Sequence, residues 1–585
     1  MTTGRTANSR TMKLPYIKLS ENAKLLLLSL LVGLCAGVAA VLLLHVIEFI
    51  HGLIRTGHFL FPAVGMLISL IIVRYLVRDN IGHGVTKVLL AVSRNESRIK
   101  PHNMWSSLLT SAVTIGLGGS VGAEAPIVYT GAAFGSNIGR MAKLSYRGVT
   151  VLLGCGAAGA IAGIFKAPLA GVLFTLEILL FNISMSSIMP LLVSTLTATV
   201  VSYVFMGAES PFSCSLAPFS MGNLPFYLLL GVFCGMVSQY FTRFTLWLED
   251  KLQSDFRSSW VRWAVCGVGL SLLVWLFPPL FGEGYDSIGQ LLNGGELQLG
   301  SDPNPLLFLL ESPWGMPVFL IFVLLLKVVS MTLTNSGGGV GGTFGPTLFE
   351  GAILGFLVAR TVNLCGMSLP EQNFALVGMA GLMAGVMQAP MTAIFLIAEI
   401  TGGYDLLLPL ILCATSSYGV TRVRERYSIY TKRIAQSGDL LTHDSDHAVL
   451  TLLNTSDLIR DKYPRLKADD ALQDVSGIIS GSTVAVFPVI SNEGRFVGVL
   501  EMDDIRKHMF EPDAVAKLHV RDLMHLPAEI VYEDERMEDV MRKFDRTGVW
   551  RLPVLTHEGI YLGFISRSRI LAAYREELKK ITAED

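Results

Sequence analysis

The sequence is short of charge. Only 16% of its 585 residues are Asp, Glu, Lys or Arg, against about 25% in soluble globular proteins. Hydrophobic residues make up 51%, and that balance argues against a wholly soluble chain. A basic stripe and a nucleic-acid reader motif are both missing. The net charge of −1 says nothing about partners, but without such a stripe or motif nucleic acid is not an expected partner. The seven cysteines (Cys35, Cys155, Cys214, Cys234, Cys266, Cys365 and Cys413) contain no Cys-x-x-Cys pair. Structural zinc and thiol redox chemistry are therefore not expected, and the cysteines read as small core residues. No His-Glu-x-x-His occurs. The nearest stretch, His45-Val-Ile-Glu-Phe-Ile-His51, has the wrong spacing for a zinc pair on one helix face. An intramembrane metalloprotease is thereby excluded, and neither an enzyme activity nor a metal is expected. A cleavable leader is also not expected: Met1 to Asn22 is polar and basic, and the first apolar run, Leu25 to Ile50, exceeds a signal h-region.

What the sequence has in quantity is long apolar runs, and they are unevenly placed. They dominate from about Lys24 to Tyr418, and ordinary charged sequence begins after Arg422. We divide the chain into an N-terminal segment (1–22), a membrane domain (23–435) and a soluble tail in two parts (436–515 and 516–585). About 20 apolar residues span the hydrocarbon core as helix. Spanning helices are expected at 25–50, 59–77, 148–165, 188–206, 223–248, 262–281 and 316–334. Shorter or glycine-rich segments at 105–117, 126–141, 169–182, 345–364, 373–388, 390–401 and 406–420 read as tilted or broken helices, tolerated only inside protein or around a watery cavity. Arg5, Arg10, Lys13 and Lys18 precede the first span, and Arg422, Arg424, Arg426, Lys432 and Arg433 follow the last. The positive-inside rule places both ends on the cytoplasmic side of a multi-pass protein of the cell membrane.

Two blocks of the membrane domain repeat. Gly156-Ala-Ala-Gly-Ala-Ile-Ala-Gly163, ending in Ala167-Pro168 and continuing to Glu177-Ile178, matches Gly378-Met-Ala-Gly-Leu-Met-Ala-Gly385, Ala389-Pro390 and Glu399-Ile400 at an offset of 222. Upstream, Gly118-Gly-Ser-Val-Gly122-Ala-Glu124-Ala-Pro126 parallels Gly338-Gly-Val-Gly-Gly342-Thr-Phe-Gly-Pro346 at an offset of 220. Glycine-interrupted segments in corresponding places of two halves point to a transporter's central site. The tail repeats too. Phe487-Pro-Val-Ile-Ser-Asn-Glu-Gly494 to Gly498 matches Leu552-Pro-Val-Leu-Thr-His-Glu-Gly559 to Gly563 at an offset of 65. Each copy reads strand, turn, strand, helix.

The chemistry follows from the helix starts. Pro126 and Pro346 suit a first helical turn, and Gly119, Gly122, Gly341 and Gly342 let backbone approach a ligand. A helix start carries unpaired N–H donors and partial positive charge, so it holds an anion without a full cation. Two such starts facing one another make a cage that an ion can also leave. The same donors repel cations, which argues against a magnesium channel. Glu124 sits in the first start. Its carboxylate is the natural occupant of an anion site there, and an ionisable group within the membrane is functional by default.

On these motifs the sequence resembles the CLC family of chloride channels and chloride–proton antiporters over about residues 25–435. That family's G-[KR]-E-G-P appears as Gly122-Ala-Glu124-Ala-Pro126, and its G-G-x-F-x-P as Gly341 to Pro346. The resemblance implies an all-α fold of two inverted repeats and a homodimer with one pathway per subunit. It also implies chloride as the ion and Glu124 as the gate. The amides of Thr343 and Phe344 and the phenol of Tyr430 would coordinate the anion. A first motif, G-S-G-I-P in the family, stands here as Gly82-His83-Gly84-Val85-Thr86, which puts His83, Gly84 and Val85 at the anion. An imidazole there titrates near pH 6.5. The internal proton-transfer glutamate of many antiporters falls at Ile178, with Glu177 one residue away, about 100° round the helix. A channel-like mechanism is the first expectation and proton exchange the alternative, with nitrate or fluoride as other possible ions. The tail looks like a tandem cystathionine-β-synthase (CBS) pair, an α+β unit. Asp504 in the first copy and Ser566 in the second match parts of a nucleotide-binding motif. Neither copy is complete, so an adenine nucleotide is a weaker expectation than a structural role.

Overall fold

The computed structural model describes residues 21–54, 59–94, 97–179, 185–207, 216–293, 306, 312–436, 453–482, 484–508, 515 and 517–582. The basic N-terminal segment and Cys214 lie outside these. The chain forms two units, Met1–Leu440 and Leu441–Asp585.

The first unit is helical. Its first half comprises α1 (Glu21–Leu53), α2 (Phe61–Ile71), α3 (Gly84–Arg94), α4 (Ser106–Gly116), α5 (Glu124–Met141), α6 (Tyr146–Phe165), α7 (Pro168–Ile178) and α8 (Met185–Met206). Its second half comprises α9 (Leu224–Asp255), α10 (Ser259–Leu276), α11 (Tyr285–Leu292), α12 (Gly315–Ser336), α13 (Phe344–Leu364), α14 (Glu371–Met387), α15 (Pro390–Ile400) and α16 (Leu407–Arg424). A short α17 (Ile429–Gln436) follows.

Among the described residues, seven helices are long and apolar enough to cross a membrane. Six lie on expected spans. The expected span at 59–77 instead breaks into α2 and a π-helical turn, Ile72–Val77. Conversely, 345–364, read as a short segment, lies in a 21-residue helix that qualifies as a span. Its glycines disguised it. Gly351 packs backbone against Gly378 of α14, where an added Cβ would sit 2.5 Å from a carbonyl oxygen. On α10, Trp260 stands in the first turn and Trp275 in the last, both exposed, as at the two interfaces of a bilayer.

The halves pack alike. The pairs α1–α8, α5–α6 and α6–α8 recur as α9–α16, α13–α14 and α14–α16. The joints between halves are reciprocal. Gly122 N–H donates to Gly342 O at 2.9 Å, and Gly342 N–H returns a bond to Gly122 O at 2.7 Å. Ser120 N–H donates to the Thr334 hydroxyl at 3.2 Å, while Val340 N–H donates to the Thr114 hydroxyl at 3.1 Å. The bridge Gly122–Gly342 is antiparallel, so the chain enters α5 and α13 in opposed directions, as inverted repeats require. Gly118, at φ +89°, lies against Phe281, whose ring leaves no room for a Cβ. Of the cysteines, Cys155, Cys234, Cys266 and Cys413 are buried, as expected. Cys35 is half-buried, and Cys365 is exposed beyond the end of α13.

The second unit is α+β. A hairpin of β1 (Val486–Ile490) and β2 (Phe496–Glu501) carries a bulge between Val489 and Ile490. A short β3 (Val531–Tyr532) runs parallel to β4 (Arg551–Leu555), which pairs antiparallel with β5 (Tyr561–Ser566). The second hairpin repeats the first at an offset of 65, down to a bulge between Val554 and Leu555. The copies exchange lead-in segments: Arg460 bridges to Phe564, and His525 bridges to Val499.

Candidate functional site

Glu124 begins α5 and is 1% exposed. A carboxylate there must be satisfied inside the protein. Its Oε2 accepts the Gly345 N–H, from the first turn of α13, at 3.2 Å. Its Oε1 accepts the Tyr285 hydroxyl from the start of α11. The first helix start thus places its acid on the free amide of the second. The neighbouring Ala123 N–H is satisfied by Glu283 Oε1 at 2.7 Å.

On the other side of the paired loops lies a small cavity of about 30 Å³. That volume exceeds what one water needs. His83, Val85, Ala125, Gly341, Gly342, Thr343 and Tyr430 line it. With Thr245 and Glu249 of α9, which also line it, five separate stretches of sequence meet here. Gly84 allows the meeting, because a Cβ on it would lie 2.4 Å from Ala125 O. Thr86 Oγ1 donates to Tyr430 O at 3.3 Å, which ties α3 to α17. Thr343 Oγ1 donates to the Tyr430 phenol oxygen at 3.2 Å. Phe344 is buried, its ring centroid 5.5 Å from that of Phe165 and 6.4 Å from that of Phe174. Gly119 stands further back: its N–H bonds Thr114 O at 2.8 Å and closes the end of α4.

His83 has φ +55°, a left-handed conformation in which His is among the better-tolerated residues. Its Nε2 lies 3.8 Å from Glu249 Oε1. Glu177 is not brought to the cavity lining. Its Oε1 accepts Met391 N–H at 3.0 Å, and its Oε2 accepts Thr392 N–H at 2.7 Å. Those are first-turn amides of α15, so Glu177 caps that helix. Glu399 does the same for α7, accepting Leu169 and Ala170 N–H at 3.0 and 2.9 Å. The repeated Ala-Pro…Glu-Ile blocks are thus a reciprocal pair of helix caps.

In the tail, Asp504 follows β2 within a short helix. It accepts Glu501 N–H at 3.4 Å, and His525 Nε2 lies 3.2 Å from its carboxylate. Ser566 ends β5, with its hydroxyl 3.4 Å from that of Ser568.

Several charged groups escaped the sequence reading. Lys327 on α12 and Glu350 on α13 are both fully buried. Lys327 Nζ donates to Gly282 O at 2.9 Å and lies 4.7 Å from the Phe349 ring centroid. Among the described residues both Glu350 oxygens lack a hydrogen bond, and the Lys327 charge acts on Glu350 through space. A charge inside an apolar run is the signal that would have found them.

A family model for voltage-gated chloride channels matches residues 64–422. The chain belongs to that family. CBS-domain models match 456–511 and 520–576. A putative chloride channel protein of Ralstonia nicotianae is 28% identical over 391 residues, 65% of this chain and 86% of the relative. An H+/Cl− exchange transporter of Cronobacter sakazakii is 29% identical over 420 residues, 66% of this chain and 84% of the relative. The fold is also that of a slow cyanobacterial Cl−/H+ antiporter (TM-score 0.60, 21% identity, 72% of this chain and 98% of that one). This CLC chain is therefore a multi-pass membrane protein for anion transport, with a tandem CBS tail.

Proposed function

We propose that the transported ion is chloride and that Glu124 is its gate. The observation that carries this is the bond between the Glu124 carboxylate and the Gly345 N–H. A carboxylate on a helix-start amide occupies the place of an anion. Chloride on the far side of the loops would be held by the amides of Thr343 and Phe344, by the Tyr430 hydroxyl, and by the α3 start from His83 to Val85. Gly122, Gly341 and Gly342 bring the two starts together. The pathway opens when Glu124 leaves Gly345, on protonation or by competition with chloride.

The test is chloride efflux from liposomes holding the purified chain. We expect efflux to rise on acidification in the wild type, and to be high at every pH in Glu124→Gln. Efflux that is absent in both would contradict the reading.

Proton exchange is the second reading, favoured by the name of the Cronobacter relative. Ile178 weighs against it, because an aliphatic side chain carries no proton. We place both ends of the membrane domain and the CBS pair on the cytoplasmic side and the working form as a homodimer in the lipid bilayer. For the CBS pair we propose a structural role first. Asp504 is already engaged by Glu501 N–H and His525, which leaves an adenine nucleotide the weaker reading.

A further inference from the structure

The segment Gly282–Tyr285, which leads from α10 into α11, meets the Glu124 side chain at one point and is seated at several others. Gly282 N–H donates to Gly118 O at 3.0 Å, and the buried Lys327 ammonium donates to Gly282 O at 2.9 Å. Glu283 Oε1 accepts the Ala123 N–H at 2.7 Å. Gly284, at φ +92°, lies against the Phe349 ring, where an added Cβ would sit 2.3 Å from a ring carbon. None of these four contacts uses the Glu124 side chain. They tie the segment to α12, to α13 and to both ends of the loop that enters α5.

The fifth contact is of another kind. The Tyr285 hydroxyl donates to Glu124 Oε1, while Glu124 Oε2 takes the Gly345 N–H. The hydroxyl stands beside that amide: a Cβ built on Gly345 would be 3.4 Å from the Tyr285 oxygen. The amide belongs to a helix start and serves whatever anion is placed there. The hydroxyl comes from outside both helix starts and adds a second bond to the carboxylate in its closed position. A hydrogen bond to a carboxylate favours its charged form.

We propose that Tyr285 is a positioning residue for the gate, a latch whose hydroxyl holds the ionised Glu124 carboxylate on the Gly345 amide and so sets the pH at which the pathway opens. Gly282, Glu283 and Gly284 are the mount that keeps the hydroxyl in place. The inference rests on Glu124 as the chloride gate. Glu283 and the Tyr430 phenol are the other titratable groups in charge contact with Glu124, and Lys327 and Asp286 act in turn on Glu283. All four remain in Tyr285→Phe, where the hydroxyl alone is lost.

The experiment is a pH series of chloride efflux from liposomes holding the full chain. In Tyr285→Phe the rise on acidification should keep its height and begin about one to two pH units higher, the shift that one hydrogen bond to a charged group produces. In Glu124→Gln no carboxylate is left to hold, so adding Tyr285→Phe should change nothing. Gly284→Ala displaces the mount but keeps the hydroxyl in the chain. It should also move the rise to higher pH, and only while Glu124 is present. A general loosening of the protein would instead lower the acid plateau or raise efflux in both backgrounds. A rise that stays in place in Tyr285→Phe overturns the inference, and so does a change in efflux that persists in Glu124→Gln. If Tyr285→Phe does not reconstitute, Gly284→Ala decides on the same terms. If Glu124→Gln is open at every pH and Tyr285→Phe follows the wild type, the gate stands and the latch falls. If the wild type passes no chloride at any pH, or Glu124→Gln keeps the wild-type rise, the gate reading falls and takes the latch with it.

Discussion

At the scale of single residues, the site is a set of buried charges with few partners each. Glu124 has one amide and one phenol. Tyr430 accepts the Thr343 hydroxyl and, on the proposed reading, would give its own to the anion. A hydrogen bond to a charged group contributes about 1.5–3 kcal/mol, so Tyr430→Phe should weaken chloride binding by about tenfold or more, measured by calorimetry. Lys327 carries a different load. Its charge acts through space on Glu350, whose oxygens have no hydrogen bond among the described residues. Breaking a buried pair from one side costs about 3–5 kcal/mol. Lys327→Met should therefore lower the unfolding temperature sharply, and Lys327→Met with Glu350→Gln should restore most of the loss. An equal loss in both variants would mean that Glu350 does not need the lysine. Tyr430 was reached only through the family resemblance; Glu124 and Thr343 were legible in the sequence because glycine and proline mark helix starts. Glu249, Glu283 and Tyr285 were not. They reach the site from α9, from the loop before α11 and from the first residue of α11, and no local pattern signals such a contact.

At the scale of elements, the repeated Glu-Ile ends have a mechanical use. Glu177 caps α15 and Glu399 caps α7. Each half thus completes a helix of the other. Removing a helix-capping group costs about 0.5–2 kcal/mol. Glu177→Gln and Glu399→Gln should each lower thermal stability in detergent by a similar amount and leave the proton dependence of transport alone. A Glu177→Gln protein of normal stability with altered proton dependence would return that residue to a proton pathway. The spacing of the blocks was legible; their exchange was not, because sequence shows which segments match and not which ones touch. The span at 59–77 failed for a related reason. Its hydropathy suits a membrane, but a π-helical turn ends the α-helix at Ile71.

At the scale of the whole molecule, both units are built by duplication, and both join their copies by reciprocal contacts. In the tail these are Arg460 with Phe564 and His525 with Val499. Asp504→Asn should destabilise the tail by about 1 kcal/mol through its lost cap, with or without adenine nucleotide, read by thermal unfolding. A large stabilisation by nucleotide that Asp504→Asn abolishes would favour the nucleotide reading instead. In the membrane unit, the open issue is coupling. With chloride fixed, the reversal potential of the purified chain in bilayers should stay put under a proton gradient if transport is channel-like. A shift would establish exchange. Both outcomes are compatible with Glu124 as the proposed gate. The most direct test of that gate is a crystal of Glu124→Gln grown in bromide. With the carboxylate neutralised, an anomalous peak should appear within hydrogen-bond distance of the Gly345 N–H, where the wild type shows the Glu124 side chain. Glutamine still bonded to Gly345, with no bromide there, would contradict the account.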